Sequence, residues 1–115
     1  MLAFSKNGGE NWDTAYVCKE LPDPVCEGSM ISFKYKGKHL VLFSNAASQV
    51  KREKLTIHVS KDNGRSWPVS FLVDGGDASY SDIIKVGSKN IGVLYEKGSD
   101  GGIIYAAVPL KKILK

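Results

Sequence analysis

The 115-residue sequence lacks the features that mark membrane spans, disulfide frameworks and metal sites. No apolar run approaches the roughly 20 residues that a membrane-spanning helix needs, so we predict no membrane span. The two cysteines, Cys18 and Cys26, are too few for a disulfide framework, and each suits a core thiol, while a single bridge between them stays open. Together with His39 and His58 they have no zinc-ligand spacing. Neither a metal nor an organic cofactor is predicted.

Charge is present, but it is not patterned as in a nucleic-acid-binding protein. The formal net charge of +4 and the pI near 9.1 permit an acidic partner. No aromatic interleaving, helix-turn-helix or RNA-binding signature accompanies the lysines, which are spread along the chain as Lys34, Lys36, Lys38, Lys111, Lys112 and Lys115. We therefore interpret these lysines as solvated faces and predict no nucleic-acid partner.

An internal repeat is the most informative feature of the sequence. Residues 5–12 and 60–67 share one eight-residue template of Ser, Asn or Asp, Gly and Trp, and their first serines are 55 positions apart. That spacing is close to the roughly 40 to 50 residues of one four-stranded propeller blade. The repeat unit is therefore interpreted as a blade.

The segments around the second motif have the length and turn chemistry of short strands. Residues 54–60 alternate apolar Leu55, Ile57 and Val59 with Thr56 and His58, which predicts one buried face and one polar face. Further strands are predicted at 30–35, 39–44, 80–86, 91–96 and 103–108, with turns at 37 and 87–90, and a helical segment at 109–115. The sequence is therefore expected to be all-β.

The eight-residue motif resembles the Asp box of sialidases and other β-propellers. Its residues are Ser5, Asn7, Gly9 and Trp12 in the first copy, and Ser60, Asp62, Gly64 and Trp67 in the second. The chemistry suits a tight hairpin, because Asp62 can accept hydrogen bonds from loop amides, Gly64 can take a positive φ, and Trp67 can pack between neighbouring sheets. We predict that these residues are structural and not catalytic. Asn7 keeps the acceptor oxygen without the charge.

A second resemblance concerns a tyrosine. Residues 77–83 resemble the tyrosine segment of sialidases, which predicts Tyr80 as a catalytic nucleophile. The anomeric carbon of sialic acid carries a carboxylate, which would repel a carboxylate nucleophile, and sialidases are known to use tyrosine instead. Without that resemblance, Tyr80 would be interpreted as an aromatic residue packed at a strand end.

The same resemblance assigns roles to other charged residues. Arg52 occupies the place of the third arginine of a triad that clamps the substrate carboxylate with rigid paired donors. Glu96 corresponds to a buried acidic residue that fixes the first triad arginine. Taken alone, Arg52 and Glu96 would be solvent-exposed surface charges. Residues 23–29 resemble a loop that reads Cys-Gln-Gly-Ser in several family members, but Glu27 replaces the glutamine, which does not favour a pocket-lining role.

The resemblance implies that residues 1–115 form the C-terminal portion of a sialidase propeller domain, about two four-stranded blades of a six-bladed β-propeller. The first two triad arginines, the glutamate that activates the tyrosine and the aspartate acid/base precede this region in the family, so the chain alone is expected to be inactive. The implied function is that of a retaining exo-α-sialidase. The alternatives are a non-catalytic glycan-binding propeller module and a purely structural repeat fragment.

The implied partners are sialylated glycoproteins, glycolipids or oligosaccharides. The family resemblance favours a lysosomal or secreted location.

Overall fold

A computed structural model describes residues 1–98 and 100–115, and the fold is all-β. The first sheet has four strands in the order β1-β2-β3-β4, and the second has three in the order β5-β6-β7. All neighbouring strands are antiparallel. The elements are β1 (Ser29–Tyr35), β2 (Lys38–Ala46), β3 (Glu53–Ser60), β4 (Val69–Asp77), β5 (Ser81–Val86), β6 (Asn90–Glu96), β7 (Ile103–Pro109) and the short helix α1 (Leu110–Ile113).

The hairpin turns lie where the sequence predicts them. Lys36 and Gly37 join β1 to β2 with φ of 48° and 77°, the two-residue turn whose twist matches that of the flanking strands. Gly87, with φ of 59°, begins the loop between β5 and β6. The six strands predicted from periodicity are confirmed, with ends that differ by at most two residues, and the helical segment is confirmed as the short α1.

Strand β4 was not predicted, because Gly75 and Gly76 make its second half resemble a turn. The strand forms because it pairs with β3, and that ladder contains register shifts around Leu55. Lys54 has φ of 61° at the same place. Glycines and a local irregularity in the ladder are typical of a β-bulge, which bends the strand without ending the sheet.

The main hydrophobic core lies between the two sheets. Leu42, Leu55 and Ile57 contribute to it from the first sheet, and Ile91 and Val93 from the second, all with no exposed surface. Polar contacts also link the sheets, since the hydroxyl of Ser29 in β1 donates to a carboxylate oxygen of Asp82 in β5 at 2.9 Å. Those contacts fix the position of the start of β5.

Strand β3 is buried on both faces, which corrects the expectation of one buried and one polar face. Thr56 and His58 are 7% and 3% exposed. The second face lies against a smaller cluster that contains Leu21 and Trp67, and the His58 ring stacks on Phe43 with centroids 6.2 Å apart. His58 Nε2 is 3.0 Å from the side-chain oxygen of Asn45, so the buried ring has a hydrogen-bond partner.

Burial of His58 predicts a loss of stability on mild acidification. Desolvation lowers the pKa of His58 from 6.5 to about 4. The unfolded chain therefore binds a proton that the folded chain excludes, and stability should fall as pH drops from about 6.5 to about 4, by on the order of 3 kcal/mol. Urea unfolding of His58→Gln should lose this slope. His39→Gln, at the exposed second histidine, should keep it, and an unchanged slope in His58→Gln would contradict the assignment.

The second sheet has three strands, where the sequence led us to expect four, and the two sheets do not close into a ring. Helix α1 follows β7 directly, so no further strand pairs with the β7 edge within residues 1–98 and 100–115. In that described part, no helix is long and apolar enough to cross a membrane. Cys18 and Cys26 are both free thiols in the structure.

Candidate active site

The two eight-residue motifs fold into the same hydrogen-bonded loop. In the second copy the Ser60 hydroxyl donates to Asp62 at 2.7 Å and accepts from the Gly64 amide at 2.8 Å, while the Ser66 amide donates to Asp62 at 2.8 Å. In the first copy the corresponding distances are 3.0, 2.9 and 2.9 Å, with Asn7 in place of Asp62. The shared oxygen acceptor therefore shapes the loop with or without a charge.

The two motif tryptophans have different surroundings. Trp67 is 4% exposed and packs with Leu21, Val41 and Phe43, while its amide donates to the Glu20 carboxylate at 2.9 Å. Trp12 is 63% exposed, although its ring nitrogen donates to the Gly9 carbonyl at 3.0 Å. The motif thus sets the loop conformation, and the neighbouring segments decide whether its tryptophan is buried.

Loss of the Asp62 carboxylate is expected to lower stability. Hydrogen bonds from the Ser66 hydroxyl, the Ser66 amide and Ser60 lower the pKa of Asp62 to about 2. Because that pKa is depressed, the stabilisation is present above about pH 4 and is lost as pH falls towards 2. Asp62→Ala should reduce the melting temperature at pH 7, whereas Asp62→Asn, which copies the first motif, should retain most of it.

Thermal melts of these variants at pH 7 and pH 3 would test this prediction. Asn7→Ala, in the exposed first motif, is the matched control and should cost less. An equal loss in Asp62→Asn and Asp62→Ala would show that the charge, and not the acceptor geometry, is what matters.

The residues predicted to form a catalytic site lie together at one end of the sheets. Tyr80 directly precedes β5, Glu96 ends β6, and Arg52 directly precedes β3. The Glu96 amide donates to the Tyr80 carbonyl at 3.0 Å, and the Ala78 amide donates to the Arg52 carbonyl at 3.0 Å. The Arg52 guanidinium carbon lies 5.4 Å from the centroid of the Tyr80 ring, within cation–π distance.

These backbone bonds hold the segment that carries Tyr80 between the other two predicted residues. The Tyr80 side chain is 46% exposed, so its phenol is accessible. Arg52 and Glu96 are also exposed, so the side chain of Glu96 is not buried as the resemblance suggested. The motifs lie at the opposite end, since β3 begins beside Arg52 and ends at Ser60.

Tyr80 lines a shallow hollow of about 360 Å³ together with Glu96, Ser81 and Glu27. The Ser81 amide donates to a Glu27 carboxylate oxygen at 3.3 Å. Glu27, which replaces the glutamine of the family loop, therefore lies in the same hollow as Tyr80. The carboxylate at this position accepts a hydrogen bond from the strand that begins next to Tyr80.

Cys26 lies among the charges of this end and has the character of an inert thiol. Burial raises its pKa, an effect that Arg52 opposes and that Asp23, Glu27 and Glu96 reinforce. Since the thiolate is the reactive form, Cys26 is disfavoured as a nucleophile. Among the residues that the structure describes, no group of three or more His, Cys, Asp and Glu side chains is placed to hold a metal ion.

A network of charged and polar side chains, which the sequence did not predict, joins the two sheets beside the candidate site. Asp74 in β4 accepts from the Tyr95 hydroxyl at 2.8 Å and from the Lys97 ammonium at 2.7 Å. The Lys97 hydrogen bond, the Gly76 amide and the Tyr95 hydroxyl lower the pKa of Asp74 to about 2. Tyr95 and Lys97 flank Glu96 in sequence, so the network ties the end of β6 to the first sheet. The network could not be predicted because Asp74 lies in β4, a strand that the sequence did not predict.

The first 93 residues match the model of a BNR repeat-like domain. Among curated proteins, the chain is 38% identical over 112 residues to a sialidase of Micromonospora viridifaciens, a match that covers 91% of this chain and 17% of that protein. It is 35% identical over 122 residues to a sialidase of Bacteroides fragilis, which covers 99% of this chain and 22% of that protein.

Solved structures give the same relationship. A Hadza microbial sialidase superposes with a TM-score of 0.85 at 36% identity over 96% of this chain and 23% of that structure. A leech intramolecular trans-sialidase superposes with a TM-score of 0.81 at 18% identity, over 96% of this chain and 20% of that structure; at that identity the likeness concerns the fold alone. The chain thus spans about a fifth of the length of these proteins.

Proposed function

Because the chain belongs to the BNR repeat-like domain family, with sialidases as relatives over nearly all of its length, we propose that it supplies part of the active site of a retaining exo-α-sialidase. The observation that carries the proposal is the meeting of Arg52, Tyr80 and Glu96 at one end of the sheets, with the guanidinium 5.4 Å from the phenol ring. A carboxylate clamp and a neutral nucleophile must lie this close to act on one sugar.

In the proposed reaction, the Tyr80 oxygen attacks the anomeric carbon through an oxocarbenium-like transition state while the bond to the aglycone oxygen breaks, and an aspartate outside this chain protonates that leaving oxygen. Water then attacks the anomeric carbon of the glycosyl–tyrosine intermediate, which releases the sugar and restores Tyr80. A phenol is a weak nucleophile until a base removes its proton, and we propose that a glutamate outside this chain is that base. Arg52 presents paired donors to the substrate carboxylate, together with two arginines outside the chain. Glu96 is proposed to orient one of those arginines.

We further propose that residues 1–115 form a portion of a six-bladed propeller. The four-stranded sheet, the three-stranded sheet and the two motifs at the end opposite Tyr80 support this arrangement. The proposed substrates are sialylated glycoproteins, glycolipids or oligosaccharides.

A non-catalytic glycan-binding module is the second candidate. It is favoured by the half-exposed Tyr80 ring, because an exposed aromatic face can stack on a sugar without chemistry. In that case the protein would bind sialosides and release no sialic acid.

Hydrolysis of a fluorogenic sialoside tests the proposal. The longer protein that we propose carries this chain should release the fluorophore, whereas residues 1–115 alone should give no turnover, because one arginine and an unactivated tyrosine cannot supply the positioned charges. Binding without release by the longer protein would favour the glycan-binding module. Turnover by residues 1–115 above a Tyr80→Phe control would show that these residues suffice and that the proposed division of the site is wrong.

A further inference from the structure

A second hollow, of about 760 Å³, lies at the end of the sheets opposite Tyr80. Five lysines line it: Lys34, Lys36, Lys85, Lys89 and Lys111. Strand β5 leaves the Tyr80 end at Ser81 and reaches this hollow through Lys85 and the loop after Val86, a path of about 20 Å for six residues. We call this hollow the lysine pocket.

The lysine pocket contains positive charge without neutralising acids. No Asp or Glu is among its lining residues, and the ion pair found within residues 1–98 and 100–115 joins Lys97 to Asp74, outside the pocket. Lysines without acidic neighbours give the hollow a positive electrostatic potential, which favours an anionic ligand. The lysines come from three separate segments of the sequence, 34–36, 85–89 and 111, so only folding brings the three segments together.

The walls of the lysine pocket are held in place by the backbone and by aromatic rings. The Leu110 amide donates to the Lys89 carbonyl at 2.8 Å, which ties helix α1 to the β5–β6 loop. The Lys85 ammonium lies 5.0 Å from the Phe33 ring centroid, and the Lys36 ammonium 5.5 Å from that of Tyr35. Since these contacts limit where the ammonium groups can move, the pocket is partly organised before a ligand arrives.

We propose that the lysine pocket binds an anionic oligosaccharide that carries sulfate or carboxylate groups on successive sugars. Its volume is in the range of ligand sites and far exceeds that of a single inorganic anion. Lysine ammonium groups act as point charges that can bind either a sulfate or a carboxylate. Ser88 and Asn90 also line the pocket and can hydrogen-bond to sugar hydroxyls.

The lining fits a nucleic acid less well. It contains no arginine, the residue best suited to bidentate phosphate recognition. Its aromatic ring, Tyr35, is partly buried against the main core and has the Lys36 ammonium 5.5 Å from its centroid, so it offers little surface on which a base could stack.

The test is a binding titration of the protein that carries this chain with a dextran sulfate oligosaccharide and with uncharged dextran of equal length. The wild type should bind only the sulfated form. A triple variant, Lys34→Gln, Lys85→Gln and Lys89→Gln, should bind it about tenfold or more weakly, since it loses three charge-assisted contacts. The matched control, Lys6→Gln, Lys19→Gln and Lys61→Gln, has the same net charge and should stay within about twofold of the wild type, because none of these lysines lines the pocket.

Equal weakening in both variants would overturn the proposal, because the net charge alone would then explain binding. Tighter binding to a single-stranded oligonucleotide of equal charge would overturn it in favour of a nucleic acid. Acetylation of the unmodified protein gives a readout that does not depend on folding of a variant. Dextran sulfate should protect Lys34, Lys85 and Lys89 from the reagent and leave Lys6 and Lys61 reactive, whereas uniform protection would contradict a defined pocket.

Discussion

Replacing Tyr80 with phenylalanine in the proposed longer sialidase is expected to lower turnover by several orders of magnitude and to leave the fold almost unchanged. The substitution removes only the phenolic oxygen. The ring remains available to the Arg52 guanidinium, which lies 5.4 Å from its centroid. The backbone bonds that place residue 80 beside Glu96 do not involve the side chain.

Intact-protein mass spectrometry after reaction with a fluorinated sialoside inactivator is the decisive measurement. Wild type should carry one adduct, which peptide mapping should locate at Tyr80, and Tyr80→Phe should carry none. Tyr16→Phe is the matched control, because Tyr16 is similarly exposed, at 40% against 46% for Tyr80, and should react like wild type. An adduct on another residue, or an active enzyme that forms none, would refute the assignment of the nucleophile.

Arg52→Lys is expected to raise KM for sialosides about 10- to 100-fold while the nucleophile stays competent. Lysine keeps the positive charge but loses the planar pair of donors that matches a carboxylate, and hydrogen bonds to charged groups contribute about 1.5 to 3 kcal/mol. The Tyr80 adduct should therefore still form, at higher inactivator concentration. Steady-state kinetics would separate the change in KM from any change in kcat.

Arg65→Lys provides the control for that experiment. Arg65 is also an exposed arginine over an aromatic ring, with its guanidinium carbon 4.2 Å from the Phe4 centroid, but it lies in the second motif, at the far end of β3. Arg65→Lys should leave KM unchanged. Comparable changes in both variants would show that Arg52 acts through general stability and not through the substrate carboxylate.

The all-β class and most of the strands could be predicted because hydrophobic alternation and turn residues are local signals. The strand from Val69 to Asp77 could not, because its two glycines have a turn-like signature, and only pairing with β3 stabilises them in an extended conformation. The surroundings of His58 also escaped prediction. Alternation shows which residues share a face, but it does not show whether another segment covers that face.

The features of the candidate site also fall into those that the sequence predicts and those that only the tertiary structure determines. The sequence by itself determined the two motif loops, whose hydrogen bonds join residues only two to four positions apart, and it singled out Arg52, Tyr80 and Glu96 through their resemblance to sialidase segments. Only the tertiary structure decided that Arg52 lies over the ring of Tyr80 and that Glu27 lines the same hollow. It also decided that five scattered lysines surround one pocket. Such contacts depend on packing between segments that are far apart in the sequence. No local pattern encodes which of their side chains will meet.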